Sequence, residues 1–570
     1  MINQSILNST NLLSLTNLQN QVKLKSWKSD LKRYLFFLTG ISFILYCSSC
    51  QDSKNERVIA NRPQPILDST YFINYINSEP RFKDQLDWTK KFYKERGFKL
   101  GWFKNNRLVL QAQQMLSLID KADEEGLDPK DYQIKDFNKM FVRLDSAKRD
   151  SAKFIALQKE IDIALTANYF VWASDYYRGV VVPKENEEIE WDVKRNKIKL
   201  HKALMTVLKE RKSKYSYANF SPLHPEYSRL KSALASYRKI QASGGWAKVI
   251  ASPKLKTGES SAIVPALKKR LGLSSSADSV YNAELVSAVK RFQAAQGLKP
   301  DGALGAETVR FLNISIEERI KQIVLNMERW RWIPKSLEPD YLLVNIPEYK
   351  LYVVEDGQEK ITMNVIVGKT LNSTPIFSDK MEYVVLSPYW NVPISIIEKE
   401  IAPKLANNPG YLDHLNMEVV TANGSPVNPS SVDWGSVNES NWKYVLRRRP
   451  GPKNDLGDVK FIFPNTNDIY LHDTPHDELF SQAKRGFSHG CVRVEKPIDL
   501  AEYLLRNSAG WDRAQILNTI SVRKEKYVKL KEVLPVYLVY FTAWADDKGQ
   551  VHFRDDIYGH DKTLAQQYFN

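Results

Sequence analysis

Apolar residues at Leu108, Ala112, Met115, Leu116, Ile119 and Ala122 recur with the period of an α-helix, and Gly126 marks its stop. Ile161, Ala164, Leu165, Asn168, Tyr169 and Trp172 give a second amphipathic face, so residues 71–250 read mostly as helix. The aromatic residues Trp88, Phe92, Tyr93, Trp102 and Trp172 suit a core, and this region shows no catalytic constellation. Composition shifts at Ser243-Gly244-Gly245. A compact unit follows over residues 258–313: a helix carrying Val264, Leu267, Lys268 and Leu271, a second over Tyr281–Gln293, a turn at Gly297–Gly302, and a third helix opened by Leu304–Val309. The pattern Ser315-x-x-Glu318 is a capping box leading a helix through Ile316, Ile320, Ile323 and Met327 to Trp332-Ile333-Pro334. Alternation then takes over, with strands expected over 341–346, 350–354, 362–368 and 383–387 and a turn at Glu355-Asp356-Gly357. Residues 394–450 read as mixed helix and loop ending in Arg447-Arg448-Arg449, a candidate cap over an active site. The fold class expected is multi-domain α+β: a helical scaffold (71–250), a three-helix unit (258–313) and a β-rich domain (315–570) with a cap insertion.

The first 50 residues change the picture of where the chain works. A basic segment, Lys23 to Arg33, precedes the apolar run Leu35–Tyr46, and Ser48-Ser49 stand before Cys50. That is the layout of a signal peptide, and the apolar run is well short of the roughly 20 residues that cross a bilayer. Cys47-Ser48-Ser49-Cys50 resembles a bacterial lipoprotein processing site, which implies lipidation of Cys50 and a place on the periplasmic face of a bacterial membrane. An uncleaved N-terminal anchor is the alternative. Residues 51–70, polar and interrupted by Arg62-Pro63-Gln64-Pro65, suit a linker.

A length of 570 residues allows about three or four folding units, and 43% hydrophobic and 11% aromatic content supplies their cores. The net charge of +16 is spread along the chain and favours an anionic partner such as a cell-wall polymer or lipid head groups; no nucleic-acid-binding motif is present. Of three cysteines, two flank the processing signal, leaving Cys491 without a disulfide partner. A lone exported thiol points to nucleophilic catalysis.

The chemistry concentrates in Tyr470-Leu471-His472-Asp473-Thr474-Pro475-His476 and Phe487-Ser488-His489-Gly490-Cys491-Val492-Arg493. A neutral imidazole can take the thiol's proton, with Asp473 or a nearby carbonyl orienting it. Gly490 lets the main chain approach a substrate, so the amides of Gly490 and Cys491 could face an oxyanion. Competing readings are a zinc site from His472, His476, His489 and Cys491, disfavoured by Thr474-Pro475; a papain-like protease, whose local cysteine run is absent; a Ser481-x-x-Lys484 enzyme without its companion motifs; and a wall-binding protein with a structural Cys491.

The run "AVKRFQAAQGLKPDGALGAETV" resembles the three-helix peptidoglycan-binding domain, which implies glycan affinity. "LHDTP" and "GFSHGCVR", preceded by "VGK…TPIFS…VVLSPYWNVP", resemble the L,D-transpeptidase catalytic domain, and residues 70–560 resemble its large multi-domain subgroup. The resemblance implies Cys491 as nucleophile, His472 as general base, Asp473 as the residue whose carbonyl orients it and Gly490 as an oxyanion amide. Ser488, His489, Arg493 and Tyr470 would stand on the substrate side, with Arg493 where many relatives have Asn. It further implies acyl transfer between peptidoglycan stem peptides through a Cys491 thioester, making a 3→3 cross-link that maintains cell wall and cell shape, with no metal or organic cofactor. Water as acceptor would give L,D-carboxypeptidase activity instead.

Overall fold

The helical part is built around the helix Ser151–Arg178, which starts where the Asp150 side chain accepts the Lys153 amide. The computed structural model describes residues 62–183, 189–193, 198–209, 217, 224–249, 255–273, 278–334, 336–408 and 410–569. The expected signal segment, Cys50 and most of the expected linker lie outside the described residues. Among the described residues no helix is long and apolar enough to cross a membrane.

On that long helix Asp162 is buried and accepts the Gly101 and Trp102 amides at 3.0 and 2.7 Å and the Tyr93 hydroxyl at 2.7 Å. These bonds hold a short hairpin, Phe103–Lys104 with Arg107–Leu108, that helical periodicity hides. The neighbouring helix Leu110–Asp120 buries Ala112, Met115 and Ile119 and gives way to a 3₁₀ turn, Ala122–Glu125, ended by Gly126 at φ 80°. Phe92, Tyr93, Trp102 and Trp172 are buried in this core.

The expected 71–250 unit serves two cores. Residues up to Tyr177, together with Leu200, Leu204, Val207 and Tyr217, fill the helical core. Val181, Trp191, Val193 and the Tyr227, Leu230 and Leu234 face of the helix Pro225–Ala242 fill the core of the β-rich domain instead. At the junction lies the helix Ile316–Arg331, opened by Ser315 and Glu318 in a reciprocal capping box. Its Glu328 and Arg331 are fully buried and paired at 2.8 Å. Glu328 also accepts the Val181 amide at 2.9 Å, while Arg331 donates to the Glu125 carbonyl at 2.6 Å and to Tyr227 at 2.9 Å.

The three-helix unit, with helices Val264–Arg270, Ala283–Ala295 and Ala306–Leu312, docks on the β-rich domain through polar contacts. Arg310 pairs with Asp555 at 2.8 Å, Lys484 with Glu307 at 3.4 Å, and Arg554 donates to the Ala295 carbonyl at 3.0 Å.

In the β-rich domain the strands run in the order Gly486–Ser488, Gln358–Gly368, Val492–Val494, Leu471–His472, Val459–Ile462, Phe377–Leu386, Lys526–Val539, Tyr341–Asn345, Lys350–Glu355. Gln358–Gly368 is long enough to pair with Lys350–Glu355 through one half and Val492–Val494 through the other, so the sheet closes on itself. Between the Phe377–Leu386 and Val459–Ile462 strands the chain leaves to build a separate layer with its own apolar cluster, including Ile397, Leu405, Met417, Trp434 and Leu446. The mixed helix-and-loop expectation for 394–450 is corrected here. Met417–Val420 and Val445–Arg448 pair as antiparallel strands, and Arg447 and Arg448 of the arginine run lie in the second. Glu418 pairs with Arg447 and Arg449 at 2.8 Å each, which makes a charged run acceptable in an outer strand.

Replacing Glu328 with Ala should strand a buried guanidinium at this junction and remove about 3–5 kcal/mol of stability. A lowered unfolding midpoint in urea checks this; an unchanged midpoint would contradict the junction's role.

Candidate active site

Three neighbouring strands present the motif residues on one face of the sheet. Lys460 on Val459–Ile462 stands opposite His472, and His472 stands opposite Arg493 on Val492–Val494, the last pairing being parallel. Residues directly opposite share a face, and alternation puts Tyr470 and Cys491, two positions earlier, on it as well. The Val492 amide donates to the Tyr470 carbonyl at 3.2 Å, which carries the register back to the Cys491 turn.

His472 is buried, and its Nδ1 lies 2.6 Å from the Asp473 carbonyl oxygen. A carbonyl only accepts, so Nδ1 carries the proton and the Nε2 lone pair is free. The Asp473 carboxylate is held separately by the Asp458 and Thr474 amides, both at 2.7 Å, and burial raises its pKa to about 6. Burial, then the positive charge of Arg493, lowers the His472 pKa to about 3. The imidazole is therefore neutral across the physiological range.

Cys491 is the free cysteine among the described residues and keeps partial solvent access. Burial pushes its thiol up from the ordinary value, while the Tyr470 amide and hydroxyl, both donating to sulfur, and the nearby Lys460 pull it down. The sulfur also lies 3.8 Å from the Asp468 carbonyl. Trp390, at the root of the cap, donates to the same Tyr470 hydroxyl.

Several expected roles shift. Gly490 has φ 121°, a backbone conformation that residues with a side chain rarely adopt. Its amide does not face an oxyanion: it donates to Ser488 Oγ at 3.1 Å. The Cys491 amide meets no protein acceptor among the described residues and is the one left for that task. Ser488 is buried with its hydroxyl spent on Gly490 and, at 2.5 Å, on the Cys491 carbonyl, so it clamps the turn rather than meeting substrate. Tyr470 holds the sulfur. Exposed His489 lies 3.0 Å from Glu400 of the cap. Arg493 is half-buried, and its Nε is buried with no hydrogen-bond partner.

Sequence reasoning gave no role to Trp390, although it lies in the run "VVLSPYWNVP", and missed Lys460 and Glu400, which carry no motif and reach the site only through strand pairing and the cap. Of the competing readings, Ser481 donates to the Glu478 carbonyl and Lys484 faces Glu307, away from each other. His476 is exposed and 3.4 Å from Glu478. No cluster of three metal-ligating side chains forms among the described residues.

His472 favours its neutral form in the fold, so that share of stability is complete above its ordinary value of 6.5 and is lost as pH falls toward about 3. Base availability is constant above about pH 5, and only the thiolate fraction changes. Alkylation of Cys491 by iodoacetamide, followed by intact mass, should rise about tenfold per pH unit from 5 to 8. A flat profile from pH 5 would mean a preformed thiolate–imidazolium pair and contradict this electrostatic picture.

Residues 339–538 match the L,D-transpeptidase catalytic domain, residues 87–234 a scaffold domain and residues 265–312 a peptidoglycan binding domain. A Haemophilus influenzae protein named as an L,D-transpeptidase is 35% identical over 274 residues, 47% of this chain and 55% of that protein, so the match spans about half of that relative. Among solved structures, an L,D-transpeptidase from Xylanimonas cellulosilytica is 17% identical, covering 51% of this chain and 99% of that chain at a TM-score of 0.17. One from Stackebrandtia nassauensis is 12% identical, covering 51% and 97% at a TM-score of 0.20. Regions matching a scaffold domain and a peptidoglycan binding domain therefore lie ahead of one that matches the L,D-transpeptidase catalytic domain.

Proposed function

We propose that this chain is a peptidoglycan L,D-transpeptidase that forms 3→3 cross-links through a Cys491 thioester. The reading is supported by a neutral imidazole with a free Nε2 at the end of Leu471–His472, on a strand paired in parallel with Val492–Val494, which directly follows the Cys491 thiol. In the first step the Cys491 proton passes to His472 Nε2 as sulfur attacks the carbonyl of the third stem-peptide residue. The Cys491 amide donates to the oxyanion. Collapse breaks the amide C–N bond, His472 returns the proton to the leaving D-alanine amine, and a thioester remains. The side-chain amine of a neighbouring stem then attacks, loses its proton to His472, and releases the thiol.

Arg493 suits a stem carboxylate, because its buried Nε lacks a partner and its cation bears on His472. A bound carboxylate would offset that cation and make the imidazole a better base when substrate is present. The peptidoglycan binding domain, fixed to the catalytic domain by Arg310–Asp555, would hold glycan at a set distance from Cys491. Lipidation of Cys50 would keep the chain on the periplasmic face of its membrane, within reach of the wall.

Purified tetrapeptide muropeptides should yield dimers with the wild-type chain and none with Cys491→Ala, while wall binding is retained. His472→Asn should slow dimer formation at least about 100-fold. Dimers formed by Cys491→Ala would refute the assignment of the nucleophile.

A further inference from the structure

Lys460 is partly buried beside the nucleophile without an evident structural reason to be there. Its ammonium sits 3.8 Å from the centroid of the Tyr470 ring, whose hydroxyl donates to Cys491 sulfur. The backbone of Lys460 is in register with His472, and Arg493 occupies the register position on the other side of that histidine. No carboxylate among the described residues comes within ion-pair distance of Lys460. The nearest negative groups, Glu525 and Asp468, act only at longer range, and Glu525 is occupied by the Tyr389 amide at 2.8 Å. Burying an ammonium without an anion is unfavourable, and an aromatic face compensates only in part. The position makes sense when an anion forms nearby, and the one group in contact with the Tyr470 hydroxyl that can become one is Cys491.

We propose that Lys460 is a positioning residue for the nucleophile: seated on the Tyr470 ring, its ammonium supplies the charge that stabilises the Cys491 thiolate and keeps His472 neutral. This rests on Cys491 being the nucleophile. The groups facing the sulfur are Tyr470, Lys460, His472, Arg493 and Asp468. Among them the imidazole is bracketed by two cations, so a stable imidazolium is disfavoured and the compensating charge must come from elsewhere. Lys460 exchanges no proton. The thiol proton goes to His472 Nε2 in the acyl transfer and to solvent in simple alkylation, where sulfur displaces iodide.

The test is the pH profile of Cys491 alkylation by iodoacetamide in the full chain, read by intact mass. In Lys460→Met the profile should move up by about one pH unit, so that the rate at pH 7 falls about tenfold. Lys460→Arg, which keeps the charge, should stay within about twofold of wild type. A merely structural lysine would alter rates without moving the profile, and a Lys460→Met profile superimposed on wild type would overturn the proposal. A second measurement does not depend on the folding of Lys460 variants. By linkage the lysine must sense the sulfur, so its ammonium titration, followed by NMR of labelled lysine, should shift to lower pH in Cys491→Ala. No shift there would equally overturn it. Neither readout uses cross-linking, so loss of muropeptide dimers with an intact alkylation shift would fault the proposed function and leave the lysine's role standing.

Discussion

The parallel pairing of Leu471–His472 with Val492–Val494 is the constraint on which the site depends. Leu471 and Val492 are fully buried in the core beneath it, so the register is set by packing: a slip of one residue would turn His472 into the core and Leu471 out to solvent. With the register fixed, His472 and Cys491 share a face. The Asp473 carbonyl then accepts a hydrogen bond from the protonated Nδ1 and leaves the Nε2 lone pair free. A main-chain carbonyl does this work without adding a charge, which matters because the face already carries Lys460 and Arg493.

Electrostatics at this face are dominated by cations and by exclusion of water. Burial favours the neutral form of both the thiol and the imidazole, so the resting pair is uncharged. Such a site is quiet at rest. A lone thiol gains from that arrangement, since thiolate is the form that oxidises. The cap fits the same logic. Trp390 at its root donates to Tyr470, and Glu400 within it meets His489, so the Cys491 turn and the neighbouring strand are both in touch with this layer. The π-helical turn Ile397–Ile401 that carries Glu400 is an irregularity of the kind often found at functional sites.

Much of the architecture was legible in the sequence, and its gaps have physical causes. Alternation announced the strands Tyr341–Asn345 and Lys350–Glu355, and Ser315 with Glu318 announced the helix they cap, because these signals are local. The strand Leu471–His472 is only 2 residues long and shows no period of its own; its motif, not its pattern, marked it. The cap strand Val445–Arg448 was hidden because its arginines face Glu418, Tyr389 and Asp455, reversing the usual hydropathy of a strand. Gly490 was legible as glycine, but which amide remains free follows from the Ser488 hydroxyl, which a linear reading cannot aim. Lys460 was invisible for the same reason: it reaches the site through pairing with residues twelve and more positions away.

The central claim is that the buried imidazole is neutral, protonated on Nδ1, and offers Nε2 to the sulfur. Nitrogen NMR of the chain labelled at histidine reads tautomer and charge directly. The account predicts a His472 signal with Nδ1 protonated and Nε2 bare, unchanged from pH 8 down to about pH 5. A His472 ring that is doubly protonated at neutral pH, or protonated on Nε2, would contradict it.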